Sequence, residues 1–307
     1  MELKYNNKRE MLFGILAGFF IGLSVIVPGI SGAAIAIALK MYEKLMYSFS
    51  NIFKQFKKCI IFLLPVAFGI IVGVLTGALA VKLLLDLIPF ITICFFVGLM
   101  LGTYPIVLEE LKGERVNAKK CLLFVFGIII PVAITLLSVL INTKNSLIGL
   151  NFFDYLLFVV IGALASLTQL IPGLSATVLL MIFGYYKALM DSIGIEMIRQ
   201  PSILLVFLAL IIGFLIGVIL FSGIISRLLE KRRKPFFFVI CGLSIGSMAS
   251  VFFGYDCLSI YNSWQGNQMI IDIVLGIIAL LIGFSATFII YLRGKRKERK
   301  MLKEAQE

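Results

Sequence analysis

The chain has 307 residues, of which 61% are hydrophobic and only 14% charged, with a formal net charge of +12. Because a water-soluble domain carries about 25% charged residues, this composition excludes an ordinary soluble enzyme and indicates a membrane-embedded chain. The sequence contains no histidine, which removes the commonest general base and metal ligand, so we expect no metal and no cofactor.

Eight apolar segments follow one another along the chain: 11–39, 59–81, 88–108, 121–141, 152–183, 203–225, 236–254 and 270–291. Six of them are close to the ~20 residues that span a bilayer. The other two are longer, and each has a Pro-Gly pair near its middle: Pro28-Gly29 in 11–39 and Pro172-Gly173 in 152–183.

The basic residues predict the orientation of these segments. They concentrate before residue 11, in loops 40–58, 109–120 and 226–235, and after residue 292. Such clusters favour the cytoplasmic side, and their place between apolar segments argues against nucleic-acid binding. Segment 11–39 then begins and ends inside, segment 152–183 begins and ends outside, and both termini are cytoplasmic. We therefore expect two re-entrant hairpins, because eight plain spans would place the five lysines of loop 40–58 outside.

The two halves of the sequence match at a constant offset of 144 residues. The matching pairs include Gly18 with Gly162, Pro28 with Pro172, Gly29 with Gly173, Ser31 with Ser175, Tyr42 with Tyr186, Gly69 with Gly213, Gly73 with Gly217, Gly98 with Gly242 and Gly102 with Gly246. Three crossings in each half would turn the second copy upside down, as in many secondary transporters. The predicted fold is an all-α membrane protein with an inverted-topology repeat. Residues 1–146 and 147–292 each form one re-entrant Pro-Gly hairpin plus three transmembrane helices, and 293–307 form a basic cytoplasmic tail.

The Pro-Gly segments are the predicted substrate site. Proline ends one half-helix, glycine permits the reversal, and the serine that follows can cap the next half-helix. Free amides at such a helix start bind anions. The predicted phosphate-binding residues are Pro28, Gly29, Ser31 and Gly32 in the first half, and Pro172, Gly173, Ser175 and Thr177 in the second. For either serine alone, a cap without a ligand is the alternative.

Four further polar residues are candidates for a charge or gating role: Glu43, Lys82, Gln169 and Arg227. Lys82 and Arg227 end equivalent spans and could bind a phosphate, or their side chains could extend to the interface. Glu43 could carry a proton or lie at a solvated helix end. Gln169 could form a hydrogen bond with the opposite hairpin.

Two pairs of segments resemble a known family. Gly22–Gly32 followed by Met41–Leu45 resembles the signature of the polyprenyl-phosphate (undecaprenyl phosphate) translocase family, and Leu170–Ser175 followed by Gly184–Tyr186 resembles its second half. The resemblance implies a multi-pass protein of a bacterial or archaeal cytoplasmic membrane. It also implies a lipid phosphate as substrate, returned from the outer to the cytoplasmic leaflet. Membrane lipids would be partners, a coupling ion stays open, and no enzymatic activity is expected.

Two other functions stay open at this point. A secondary transporter of a small organic or phosphate anion could have the same hairpins with a substrate free in water. Polyprenyl-diphosphate phosphatases also have Pro-Gly-x-Ser tips, but theirs continue to an arginine, and they use paired glutamates within a membrane helix. Here Gly32 and Ala176 occupy the arginine position. Phosphoryl transfer needs fixed positive charge, so the sequence argues against the phosphatase.

Overall fold

The computed structural model describes residues 5, 7–28, 32, 35–36, 39–51, 54–140, 147, 149–170, 176–193 and 199–304. Its helices, in chain order, are α1 Lys8–Ile26, α2 Tyr42–Ser50, α3 Phe56–Leu87, α4 Pro89–Glu109, α5 Ala118–Leu140, α6 Phe152–Leu170, α7 Ala176–Ile182, α8 Tyr186–Ser192, α9 Pro201–Phe253, α10 Tyr255–Ser263 and α11 Gln268–Glu304. Over these ranges, seven helical stretches are long and apolar enough to cross a membrane, with α9 counted as two of them. The prediction of an all-helical, multi-pass membrane protein is therefore confirmed.

The helix α3 is longer than the predicted span 59–81. It continues through residues 82–87, which the charge pattern assigned to a loop, and ends at Leu87. Ile88 then leaves helical geometry with φ −140° and ψ 60°, and Pro89 begins α4. Proline has no amide hydrogen to donate and suits the first position of a helix. The break therefore falls at this proline and not at the charged Lys82.

The helix α9 replaces a second predicted loop. Most of residues 226–235 are helical, and the helix is interrupted at Arg232, where φ is −140° and ψ is 41°. Pro235 lies three residues later and cannot donate a hydrogen bond to the carbonyl of Lys231. The interruption divides α9 into a first arm, residues 201–231, and a second arm, residues 233–253.

The helices α1 and α6 precede the two Pro-Gly segments. The 19 residues of α1 are enough to cross a membrane by length and composition, whereas α6 contributes a shorter apolar stretch, Phe152–Thr168. Their assignment as first arms of re-entrant hairpins stays a prediction. The connection between α9 and α11, expected to be a loop, contains the short helix α10.

The chain forms two compact units, Met1–Leu83 and Leu84–Glu307. The first unit has a core of buried residues from α1, α2, α3 and the turn before α2: Ala17, Ala36, Met41, Leu45, Cys59, Phe62 and Val66. In the second unit, one buried cluster joins α4 to both arms of α9 through Val107, Ile225, Phe237, Ile240 and Cys241.

Glycines let pairs of helices approach until their backbones touch. At three matched places in each half, an added methyl group would collide with a backbone carbonyl: Gly18 against Val66, Gly69 against Ile15 and Gly73 against Phe19, then Gly162 against Leu210, Gly213 against Val159 and Gly217 against Ala163. In the second half, both residues of every pair lie 144 positions after their counterparts in the first half. The packing of α1 on α3 therefore has the same residue-by-residue pattern as the packing of α6 on the first arm of α9.

The last helices of the two halves follow a related pattern. An added methyl group would meet a backbone carbonyl at Gly98 against Leu280, Gly102 against Phe284 and Gly283 against Phe95, and also at Gly242 against Phe124, Gly246 against Ile128 and Gly127 against Val239. Thus α4 packs on α11, and the second arm of α9 packs on α5. Positions in α5 and α11 correspond at an offset of 156, because the connection containing α10 is longer. In both pairs the contacts advance together along the chain, so the paired helices run parallel.

Candidate functional site

The first Pro-Gly segment is described only at Pro28 and Gly32, which lie close to the last turns of α1. Pro28 is fully buried, and the amide of Val27 donates to the carbonyl of Leu23 at 3.3 Å. A methyl group added to Gly32 would lie 3.3 Å from Ser24 Oγ. Of the predicted site residues, Pro28 and Gly32 thus lie at the last turns of α1, while Gly29 and Ser31 lie outside the described residues.

The second Pro-Gly segment lies between α6 and α7. Pro172, Gly173 and Ser175 are outside the described residues, so their predicted role has no structural outcome. Thr177 is buried and lies in the first turn of α7, which packs against α5, α6 and α9.

A pair of buried hydroxyl groups was missed by the sequence analysis. Ser24 is 5% exposed and donates to the carbonyl of Ile21 at 2.6 Å. Thr168 is 8% exposed and donates to the carbonyl of Ala165 at 2.7 Å. Each hydroxyl lies four residues before its proline and uses the carbonyl three residues before itself. The sequence contained a signal for this pair, because Ser24 and Thr168 are separated by the 144-residue offset. Two hydroxyl residues seldom align by chance in such apolar helices.

The same left-handed turn follows both Pro-Gly segments. Lys40 has φ 56° and Gly184 has φ 77°. The next amide donates back over the turn in each case, from Met41 to the carbonyl of Ala36 at 2.8 Å and from Tyr185 to that of Leu180 at 3.0 Å. This bond is the αL ending that normally has glycine at the left-handed position. The turn precedes α2 in the first half, and in the second half it lies between α7 and α8.

The tyrosines that follow these turns differ in environment. Tyr186 is only 1% exposed and its ring lies 6.4 Å from that of Phe96, whereas Tyr42 is 38% exposed. Beside Tyr186, the ring of Tyr185 lies 4.8 Å from Phe158. The second of these turns is therefore packed into its unit by aromatic rings, and the tyrosine after the first is not.

The four candidates for a charge or gating role lie on four different helices. Lys82 is half-buried in α3, and Arg227 is exposed in the first arm of α9. Glu43 lies in α2 and Gln169 in α6, but their side chains lie outside the described residues. Their predicted roles stay predictions.

Further buried hydroxyls lie beside the second of the two turns. Ser138 of α5 donates to the carbonyl of Phe183 at 3.4 Å. Thr135 Oγ1 and Ser250 Oγ are buried and have no hydrogen-bond partner among the residues that the structure covers. Gly246 packs against Ile128, so one further helical turn brings Ser250 towards Thr135. Unpaired buried hydroxyls cost free energy, and a bound polar group or water would satisfy them.

A set of ion pairs joins the end of α4 to two later helices. Arg233 donates two hydrogen bonds to the carboxylate of Glu110, at 2.8 and 2.9 Å. Tyr291 donates to Glu109 at 2.7 Å, and Lys295 forms an ion pair with the same carboxylate. These contacts fasten α9 and α11 to α4, so Glu109 is engaged in a structural contact.

Comparison with known proteins identifies the family. The model of the undecaprenyl phosphate translocase-like family matches residues 21–269. The chain is 31% identical over 242 residues to a polyprenyl-phosphate transporter of Staphylococcus aureus, covering 78% of this chain and 86% of that protein. It is 26% identical over 268 residues to a polyprenyl-phosphate transporter of Vibrio cholerae, covering 83% and 82% of the two chains. No solved structure matches.

The family match includes both Pro-Gly segments and both left-handed turns. The two relatives are named as transporters and not as phosphatases, in agreement with the absence of an arginine after either Pro-Gly-x-Ser segment. The expected resemblance is confirmed: this chain belongs to the undecaprenyl phosphate translocase-like family of membrane proteins.

Proposed function

We propose that this chain translocates polyprenyl phosphate, of which undecaprenyl phosphate is the expected form, from the outer to the cytoplasmic leaflet. The observation that carries the proposal is the family match across residues 21–269. Two relatives that cover about four-fifths of the chain and carry the name polyprenyl-phosphate transporter support it.

The proposed architecture is an inverted repeat of two halves, each with one re-entrant hairpin. The shared offset of the glycine contacts supports a duplicated helix pair in each half. Three crossings per half would also make α4 parallel to α11, and α5 parallel to the second arm of α9, and both pairs do run parallel. The proposed orientation has both termini and loop 40–58 in the cytoplasm, because that arrangement keeps most basic residues on one side.

The proposed phosphate site consists of the two Pro-Gly segments, with the residues predicted from sequence. A charged phosphate is expensive to move through hydrocarbon, and backbone amides and serine hydroxyls can replace part of its hydration. The buried hydroxyls of Ser24 and Thr168 lie one helical turn before the prolines and would complete the polar lining. The prenyl chain would remain among lipids beside the exposed apolar helix faces.

A reconstituted system tests the proposal. Proteoliposomes containing polyprenyl phosphate are treated with an impermeant phosphatase, which releases phosphate from the outer leaflet only. With wild-type protein, we expect hydrolysis to continue beyond the outer-leaflet pool, because translocation refills that pool. Hydrolysis that stops at the same level as in protein-free liposomes would contradict the proposal.

The double variant Ser31→Ala/Ser175→Ala tests the site. We expect it to insert and elute as wild type does but to refill the outer pool at least tenfold more slowly. The matched control is Ser285→Ala, because Ser285 is exposed and donates only to the carbonyl of Leu281 in its own helix. Equal rates for the double variant and the control would remove the two serines from the site.

A further inference from the structure

A cavity of about 440 Å³ lies in the first unit. The start of α1, the Lys40 turn, the start of α2 and one face of α3 surround it. Its lining combines three cations, Arg9, Lys40 and Lys44, with apolar side chains that include Phe13, Met41 and Phe62. The cavity therefore has both a basic rim and an apolar wall.

Among the described lining residues, positive charges outnumber negative ones. Glu10 is the one acidic residue of the lining, against three cations. Arg9, Lys40 and Lys44 are exposed, and no ion pair to any of them occurs within the described ranges. Counted over the described lining residues, the excess of positive charge favours an anion such as a phosphate monoester.

The apolar wall points to an anion that carries a hydrocarbon chain. Phe13 is 46% exposed, and its neighbours Leu12 and Leu16 are exposed as well. These side chains belong to a helix long and apolar enough to cross the membrane. A ligand with its phosphate at the rim could keep its chain against this apolar face, which a free inorganic anion would not use.

The cavity wall is held in place by Tyr5. Its hydroxyl donates to the carbonyl of Phe62 at 2.9 Å, and the two rings stack at 5.4 Å. Burial raises the pKa of Tyr5 to about 12, so this hydroxyl remains a donor at physiological pH. The segment before α1 is thereby fastened to α3 beside the cations.

The second half keeps the backbone frame of this cavity but not its charges. Asn7 caps α1 by accepting from the amide of Glu10 at 2.8 Å, and Asn151 accepts from the amide of Asp154 at 3.1 Å. At the 144-residue offset, however, Arg9, Lys40 and Lys44 correspond to Phe153, Gly184 and Ala188. The frame therefore does not need the cations.

Lys40 gives the strongest sign of a function. Its φ of 56° is a conformation that favours glycine, and glycine is present at the corresponding position of the second half. A lysine in the left-handed conformation costs free energy. The corresponding turn of the second half avoids this cost because it has Gly184. A strained residue that places a cation at a cavity rim is typical of a binding site.

We propose that this cavity binds the phosphate group of polyprenyl phosphate at the cytoplasmic leaflet, as a second site separate from the Pro-Gly segments. The inference rests on the proposed function and orientation. The cations replace the hydration of the arriving phosphate, and the apolar wall contacts the first part of the chain. The corresponding positions of the second half lack the three cations. The two faces of the transporter therefore differ in their affinity for the phosphate group.

Site-resolved labelling tests the inference. Wild-type protein in nanodiscs is illuminated with a short-chain prenyl phosphate that carries a diazirine next to the phosphate, and labelled peptides are identified by mass spectrometry. We expect label on the peptides that contain Phe13 or Phe62. Excess prenyl phosphate should remove this label, whereas an equal concentration of inorganic phosphate or of the prenyl alcohol should not.

The variant Arg9→Gln/Lys40→Gly/Lys44→Gln removes the rim charges and keeps the turn in the conformation used at Gly184. We expect at least tenfold less label at Phe13 and Phe62. The control Lys54→Gln/Lys57→Gln/Lys58→Gln removes three exposed cations of the same loop region and should change the label less than twofold. Cysteine labelling of both variants checks that the orientation is unchanged.

The outcomes separate this inference from the proposed function. If wild type translocates prenyl phosphate but its label lies elsewhere, or is equal in the two triple variants, the second site does not exist. Protection by inorganic phosphate at the same concentration would instead show a site for a free anion and would overturn the lipid assignment. If wild type does not refill the outer leaflet in proteoliposomes, the proposed function itself fails.

Discussion

The segments that follow the two Pro-Gly pairs have the same backbone and different side chains. Lys40 and Gly184 occupy the same left-handed position and are bridged by the same backbone hydrogen bond. The first turn borders an open cavity with three cations, whereas the second borders a cavity of about 90 Å³ lined by Met181, Tyr186, one cation, Lys187, and residues of α10. Hydrogen bonds and glycine contacts thus repeat the same backbone arrangement in the two halves, while the side chains around the two turns differ in their chemistry.

The largest expected effect on stability comes from the glycine contacts between helix backbones. We expect Gly69→Ala and Gly213→Ala each to lower the free energy of unfolding by about 1–3 kcal/mol, because the new methyl group overlaps a backbone carbonyl. If the two contacts are equivalent, the two losses should agree. Thermal unfolding in detergent, followed by circular dichroism, measures both.

Gly223→Ala is the matched control for these variants. Gly223 is also a helical glycine, but an added methyl group would meet no atom within 4 Å. Alanine should therefore be neutral or stabilise the helix by roughly 0.5–1 kcal/mol. A large loss at Gly69 with none at Gly213 would show that the shared offset does not reflect shared energetics.

The helix pairs and helix ends show which features of the fold can be predicted from sequence. Aligned glycines identified the helix faces that touch, because only glycine permits such contact between backbones. In the last helix pairs, each helix packs on a helix from the other half: α4 on α11, and α5 on the second arm of α9. This pairing could not be predicted, because a glycine pattern does not show which helix it faces. The predicted loops followed the charged residues, but α3 ends just before Pro89 and α9 is interrupted at Arg232, three residues before Pro235, so two predicted loops proved largely helical.

The candidate site was predictable only in part. Repetition of Pro-Gly drew attention to the two segments, but a hydroxyl in an apolar helix, such as Ser24 or Thr168, has no local pattern of its own. Arg9, Lys40 and Lys44 were interpreted from sequence as signals of orientation. Their convergence on one cavity depends on packing of α1, α2 and α3, which spacing along the chain does not contain.

Exchanging the residues at the left-handed position sharpens the comparison of the two turns. Lys40→Gly should raise the free energy of unfolding by about 1 kcal/mol, because the conformation strains any side chain, and should weaken prenyl-phosphate labelling. Gly184→Ala should lower it by a similar amount. Chemical denaturation measures the stabilities, and the diazirine probe measures the labelling.

Lys44→Gln serves as the control for Lys40→Gly. It removes one rim cation from α2 without touching the turn, so labelling should fall while stability stays within about 0.5 kcal/mol of wild type. Equal stability of Lys40→Gly and wild type would mean that the turn carries no strain. The functional argument from Lys40 would then be lost.

The smallest expected effect belongs to an ion pair at the second turn, between Lys187 of α8 and Asp86 near the end of α3. Their charged atoms lie 3.3 Å apart, and both side chains are nearly half exposed. Solvent screens such a pair, so a double-mutant cycle with Asp86→Asn and Lys187→Gln should give a coupling of about 0–1 kcal/mol. Low salt should increase the coupling slightly. A coupling above about 2 kcal/mol would mean that the second turn depends on its ion pair, and the contrast between a turn that borders basic residues and a turn held by aromatic packing would no longer hold.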